Sequence, residues 1–285
     1  MKMTKLKAVA KSIFIRKPKI VPLLVPVLES ELLIGRCALV TGGTSGIGRA
    51  IAKAFVKSGA KVCITSRERK RAEIAAEEIV SEINGIGRDR LFSMEMDNRK
   101  VDDFARNVNS VQEMLGGLDL LVNNAGLVKG ARFGTSKPDE FDEVLATNLK
   151  GAYFLSQCIA ERWKSDGTRG NIINICSASS LRPGNSPYIL SKWGLRSLTL
   201  GMARELIKYG IVVNGIAPGA TATPHFVGDM SACGLEYPSN PSGRLASVEE
   251  IANLAVVLTS NMGRMVVGDI LYATGGAGII TFDDV

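Results

Sequence analysis

The stretch RCALVTGGTSGIGRAIAKAF, residues 36–55, decides how the rest of the chain is read. It opens with a short uninterrupted apolar run, the signature of a strand buried on both faces. It then turns through Gly42, Gly46 and Gly48 and continues as an amphipathic segment of helical period. Glycines permit a tight turn and let backbone N–H groups approach an anion at a helix N-terminus. Strand, glycine turn and helix in this order predict a cradle for a pyrophosphate.

The same alternation runs through the chain. Strand runs fall at 36–41, 61–66, 90–96, 118–123, 171–176, 211–216 and 268–273. Amphipathic segments lie near 46–58, 68–84, 99–115, 138–165, 187–209 and 247–260. Apolar strands alternating with helices predict a parallel sheet covered on both faces. Right-handed crossovers make it doubly wound, with ligands at the strands' carboxyl ends. The expected fold is α/β, a single domain over 31–285 with about seven strands, preceded by a basic arm at 1–30. The segment 219–246, rich in Gly, Pro, Ser and Thr, reads as a lid over a site.

Charge is unevenly placed. Of 35 basic residues, Lys2, Lys5, Lys7, Lys11, Arg16, Lys17 and Lys19 precede the first acid, Glu29, and the remaining 28 balance 28 acidic residues. A neutral body argues against a nucleic-acid groove. Five scattered cysteines without C-x-x-C pairing, and a single histidine (His225), leave no metal site by the usual spacings. They point to a reduced, cytoplasmic protein. The apolar run at 20–28 is short and broken by Pro22 and Pro26, so neither a membrane span nor a secretory signal is expected. Residues 3–14 carry an apolar helical face ringed by lysines. That pattern fits peripheral contact with an anionic membrane, or an arm packed on protein.

The second strand run ends at Ser66-Arg67, where a ribose-reading residue belongs. An acid there would favour NAD; Arg67, with Ser66 and Ser45, suits a 2′-phosphate, so NADP(H) is expected over NAD. Asp97 meets the adenine edge or caps the next helix. In SPYILSKWGL, Tyr188 and Lys192 lie four apart, on one face at helical pitch. A phenol beside an ammonium is a proton donor with a lowered pKa, as a carbonyl under reduction requires.

Taken together, these motifs resemble the short-chain dehydrogenase/reductase family in its single-domain form. They are T-G-x-x-x-G-x-G from Thr41 to Gly48, N-N-A-G from Asn123 to Gly126, Asn148 in ATNLKGAYF, Ser177, Tyr188 with Lys192, Pro218-Gly219, and the closing GDILYATGGAG. The resemblance covers about residues 31–278 and implies a Rossmann-type fold. It implies that Tyr188 exchanges the proton, Lys192 lowers its pKa and binds the nicotinamide ribose, and Ser177 polarises the carbonyl. Asn148 would hold a water of the proton path. The implied cofactor set is Gly42, Thr44, Ser45, Gly46, Ile47, Gly48, Ser66, Arg67, Asp97, Asn98, Asn124, Ala125, Gly126, Pro218, Gly219, Thr221 and Thr223, with Tyr188 and Lys192. Thr223 would orient the carboxamide.

One spacing departs from the family. Ser177 stands eleven residues before Tyr188, where the family has about thirteen, so Ser179 and Ser180 compete with it. The expected activity is interconversion of a small-molecule carbonyl and a secondary alcohol. Alternatives are a 3-oxoacyl-acyl-carrier-protein reductase, thinly supported by Lys137 and Lys208, and a catalytically silent nucleotide-sensing or scaffold protein. Family members associate through helices corresponding to 138–165 and 187–209, so a homodimer or homotetramer is expected.

Overall fold

Seven runs become seven parallel strands, the five inner ones buried on both sides by the helices that connect them and the two at the edges partly so. The computed structural model describes residues 29–85, 87–227 and 234–279; the arm expected at 1–30 therefore lies, up to residue 28, outside the described residues. The strands are β1 Cys37–Val40, β2 Lys61–Ser66, β3 Leu91–Glu95, β4 Leu120–Asn123, β5 Asn171–Ile175, β6 Val212–Pro218 and β7 Ile270–Ala273. Their order in the sheet is β3-β2-β1-β4-β5-β6-β7, as the doubly wound reading expects. The chain leaves β1 toward β2 and β3, then returns to add β4 on the other side of β1. At that switch point the helices that follow β1 and β4 pack on opposite faces of the sheet, which is where such folds hold their ligands in a crevice.

The helices are α1 Gly46–Lys57, α2 Arg69–Glu82, α3 Phe104–Leu115, α4 Pro138–Leu145, α5 Gly151–Asp166, α6 Pro187–Leu206, α7 Pro224–Val227 and α8 Val248–Thr259. Alternate residues of each strand feed opposite cores. Ala38 and Val40 pack with Ile51 and Phe55 of α1, Ile79 of α2 and Ile251 of α8. Leu39 packs on the other face with Val108 of α3 and Leu155, Ile159 and Trp163 of α5. Each such buried side chain contributes about 1.5–3 kcal/mol. At the amino edge of the sheet Arg36 ties three elements together, pairing with Asp119 and donating to Asn171 Oδ1 (2.8 Å) and Thr259 O (3.0 Å).

Two segments differ from expectation. The amphipathic stretch 138–165 is interrupted by a π turn at Ala146–Lys150, which separates α4 from α5. The widened turn carries Asn148 inward to 1% exposure. The segment 219–246, read as a lid from its loop-like composition, holds α7, a parallel bridge between Thr221 and Ala246 and an antiparallel bridge between Glu236 and Arg244. Among the described residues no helix is long and apolar enough to cross a membrane, and no cluster of three or more His, Cys, Asp or Glu could hold a metal.

Candidate active site

The glycine turn is locked to the loop after β4 through one threonine and one asparagine. Thr41 Oγ1 accepts from the backbone N–H of Asn124 and of Ala125, both at 3.0 Å. The Asn124 amide donates back to Thr41 O (2.9 Å) and Gly42 O (3.0 Å). A Cβ on Gly48 would lie 2.2 Å from Asn124 Nδ2, and one on Gly42 2.9 Å from Ala125 Cα. Asn124 thus acts as a strut between the turns, with its side chain committed to protein.

Gly46 has φ +53°, and a Cβ there would lie 3.3 Å from Thr223 Cγ2, which brings Thr223 against the glycine turn. Ser45 stands at the N-cap of α1 without capping it, so the first-turn N–H groups receive no side-chain acceptor from that position. A helix start of this kind beside a glycine turn fits a diphosphate. Thr44 and Ile47 lie in the same turn and first helical residues.

At the other end of the crevice the polar groups are buried. Asn148 Oδ1 accepts from Leu127 N (2.7 Å), while its Nδ2 donates to Leu127 O and to Ser191 Oγ, each at 3.0 Å. Ser191, which the sequence reading missed, donates in turn to Tyr188 O (2.7 Å). The Asn148 amide, expected to hold a water, therefore clasps the backbone just past Gly126. Lys192 is 5% exposed and its ammonium donates to Ile175 O at 2.7 Å, at the carboxyl end of β5. A Cβ on Gly126 would lie 3.8 Å from both Lys192 Nζ and Asn148 Oδ1. Tyr188 stands one helical turn earlier, its ring centroid 5.8 Å from that ammonium.

The three candidate serines differ in what their hydroxyls do. Ser180 is fully buried and its hydroxyl donates to Ser177 O (2.7 Å). Ser177 Oγ accepts from Ser179 N (3.1 Å), which leaves its own O–H able to donate elsewhere. Ser177 lies two residues past Ile175, Lys192's partner, which ends β5.

Around the ends of β2 and β3 the groups are charged and more exposed. Asp97 accepts from Arg99 N (2.9 Å) and pairs with its guanidinium at 2.7 Å, which holds the carboxyl below its usual range. The helix that follows has its N-cap at Lys100, so Asp97 closes a local turn on Arg99 and does not cap that helix. Glu143 on α4 takes Lys129 at 2.9 Å and Arg99 at 3.3 Å, with Arg67 at 3.9 Å. Lys129, first among these cations, pulls the Glu143 pKa down. Ser66 Oγ accepts from Glu68 N (3.3 Å), and Asn98 is buried against Gly151 at the start of α5. On the opposite wall Gly219 N donates to Ala273 O (2.9 Å), Thr221 Oγ1 to Gly219 O (3.0 Å), and Thr223 Oγ1 accepts from Phe226 N (3.3 Å). Pro218 ends β6. The side chain of His225 lies outside the described residues.

Residues 36–231 match the family model described as short chain dehydrogenase. The chain belongs to that family. Among relatives of this short-chain dehydrogenase, gluconate 5-dehydrogenase of Gluconobacter oxydans is 33% identical over 86% of the chain and 95% of its own length. The 3-oxoacyl-(acyl-carrier-protein) reductase of Aquifex aeolicus is also 33% identical, over 86% of the chain and 98% of its own. A crystal structure of 3-ketoacyl-(acyl-carrier-protein) reductase from Brucella melitensis complexed with NADH superimposes with a TM-score of 0.77. Its identity is 31%, with 87% of this chain and 100% of that one covered. The short-chain dehydrogenases are oxidoreductases of alcohol and carbonyl groups that use a nicotinamide nucleotide, and these relatives differ in what they act on.

Proposed function

We propose that this short-chain dehydrogenase is an NADP(H)-dependent enzyme that interconverts a small-molecule carbonyl and a secondary alcohol, with Tyr188 as general acid and base. The observation that carries this reading is the placement of Tyr188 and the buried Lys192 one turn apart at the carboxyl end of β5. They share the switch-point crevice with the glycine turn. The bound nicotinamide supplies or takes up the hydride. Gly42, Thr44, Ser45, Gly46, Ile47 and Gly48 would receive its diphosphate on backbone N–H groups. Arg67 would meet the 2′-phosphate through its exposed guanidinium.

The chain's own residues handle the proton and the orientation. Tyr188 gives its phenolic proton to the substrate oxygen on reduction and takes it back on oxidation. Lys192 keeps a positive charge beside that phenol, with one N–H spent on Ile175 O and two left to donate. Ser177 donates its O–H to the same substrate oxygen. Asn148 holds residue 127 and, through Ser191, the first turn of α6, so the two sides of the site keep a fixed separation. The exposed aromatic and apolar groups Tyr153, Phe154, Leu190, Trp193 and Leu200 on α5 and α6 support a homodimer or homotetramer. The residues before 29 carry seven basic groups and no acid, and vesicle sedimentation with and without them decides whether that charge meets a membrane.

The test is a screen of carbonyl compounds and alcohols with both cofactors, followed by nicotinamide absorbance. Tyr188→Phe should lower turnover on any substrate found by about 10²–10⁴-fold, with NADPH binding retained. Full turnover by that variant would sink the assignment. The acyl-carrier-protein reductases among the relatives favour one narrower reading, a 3-oxoacyl substrate. A strong preference for the carrier-bound thioester over simple ketones would select it.

A further inference from the structure

Cations from the carboxyl ends of three strands converge on one carboxylate. Arg67 follows β2, Arg99 follows β3, and Lys129 lies in the loop after β4; all three reach Glu143 on α4. Lys129 occupies Oε2, whereas both guanidinium groups address the other oxygen, Oε1. The side chains of Arg67 and Arg99 are 56% and 38% exposed, and ion pairs so open to water contribute little to stability. Asp97 pairs with Arg99, and Glu140 and Asp139 act on Lys129 beside Glu143, so Oε1 of Glu143 is the anion that Arg67 and Arg99 share. Arg67 is the loosest member, held at 3.9 Å.

We propose that Arg99 is a second guanidinium for the 2′-phosphate of NADP(H), and that Glu143 is the internal anion holding Arg67 and Arg99 together in that phosphate's place. The inference rests on the NADP reading of Arg67 and extends it to two residues that reading did not include. Both Nη1 atoms lie within ion-pair distance of a single oxygen, so an anionic oxygen near that position reaches both. A phosphate carries more charge than a carboxylate and offers three oxygens, enough for paired contacts to both planar forks. NADH brings no such group and leaves the Glu143 contacts intact. Preference for NADPH then reflects an exchange, in which two arginines leave a monoanion for a phosphate. Glu143 sets the resistance to that exchange, while Asp97 keeps one edge of Arg99 anchored through Nε and Nη2.

The experiment measures dissociation constants of NADPH and NADH for the full chain, from the fluorescence of the bound dihydronicotinamide. Arg99→Ala should weaken NADPH about tenfold and leave NADH within about twofold. Glu143→Gln, which keeps the shape and removes the charge, should tighten NADPH by about threefold or more, again with NADH unchanged. A general distortion of the adenosine pocket would move both cofactors together, since they share the adenine and both riboses. Equal losses with Arg99→Ala, or NADPH binding unimproved in Glu143→Gln, overturn the inference. Arg67→Ala runs beside them as the separate test of the NADP reading. If it discriminates and the other two variants do not, that reading stands and the exchange fails; if it weakens both cofactors equally, the reading itself falls.

Discussion

The two ends of the crevice are built from different materials. Beyond β4 and β5 the polar groups are buried and paired with backbone: Asn148 on Leu127, Lys192 on Ile175, Asn124 on the glycine turn. Around β2 and β3 the contacts run from the exposed cations Arg67, Arg99 and Lys129 to the half-buried carboxylates of Asp97 and Glu143. A buried hydrogen bond costs the full desolvation of its partner when broken, so the first end holds one geometry. Exposed ion pairs exchange partners at little cost, so the second can trade an internal anion for an external one. Chemistry that needs atoms in fixed places sits at the rigid end, and the choice between nucleotides sits at the adjustable one.

The sharpest way to break this contrast is to strike the strut between the two turns. Gly48→Ala would place a methyl group 2.2 Å from Asn124 Nδ2 and 2.5 Å from Gly42 O, with backbone on one side and a committed amide on the other. Overpacking of this kind costs about 1–3 kcal/mol, and losing the Asn124 bonds adds to it. Denaturant midpoints should show a loss at or above the top of that range, and binding of either cofactor should fall together. A variant of unchanged stability would mean that the strut is soft.

Asn148→Ala ranks next. It removes three hydrogen bonds and strands the N–H and C=O of Leu127, while the Ser191 hydroxyl on α6 keeps its bond to Tyr188 O. The expected cost is about 2–3 kcal/mol, with turnover falling more steeply than cofactor affinity. Ser191→Ala should show a milder version of the same split. If Asn148→Ala weakened cofactor binding and left turnover intact, the residue would belong to the nucleotide rather than to the proton-handling end.

Much of this division was legible beforehand, but unevenly. The seven strands showed as short runs between turn signals, six of them carrying β-branched residues, because a parallel sheet covered by helices needs little else from its strands. The glycine turn, Tyr188 and Lys192 were legible because chemistry restricts the residue types at those spacings. The π turn at Ala146–Lys150 was not, since one extra residue in a helical ladder leaves the apolar period almost intact. The buried chain of Asn123 and Asn174 with Ser156 and Thr199 was not legible, since it joins side chains of two strands and two helices. Glu143, Arg99 and Lys129 belong to no motif. Their convergence depends on strand order, which brings together residues far apart along the chain.

The smallest effect separates the two materials by pH. Glu82 on α2 accepts from Arg49 and Lys53 of α1, each at 2.8 Å, and these cations, Arg49 first, pull its carboxyl down to about 2. A folded value below the unfolded one, near 4.5, means the pair stabilises the protein above that pH. The contribution then fades as pH falls from about 4.5 toward 2. Its size should stay below about 1 kcal/mol, because the Glu82 side chain is 42% exposed and solvent screens the pair. Glu82→Gln should therefore be slightly less stable than the parent at pH 7 and converge on it in acid. The deficit of Asn148→Ala involves no titrating group and should keep its size over the same range. Parallel denaturation series from pH 7 downward measure both; an Asn148→Ala deficit that also vanished in acid would show the buried end to be held by charge after all.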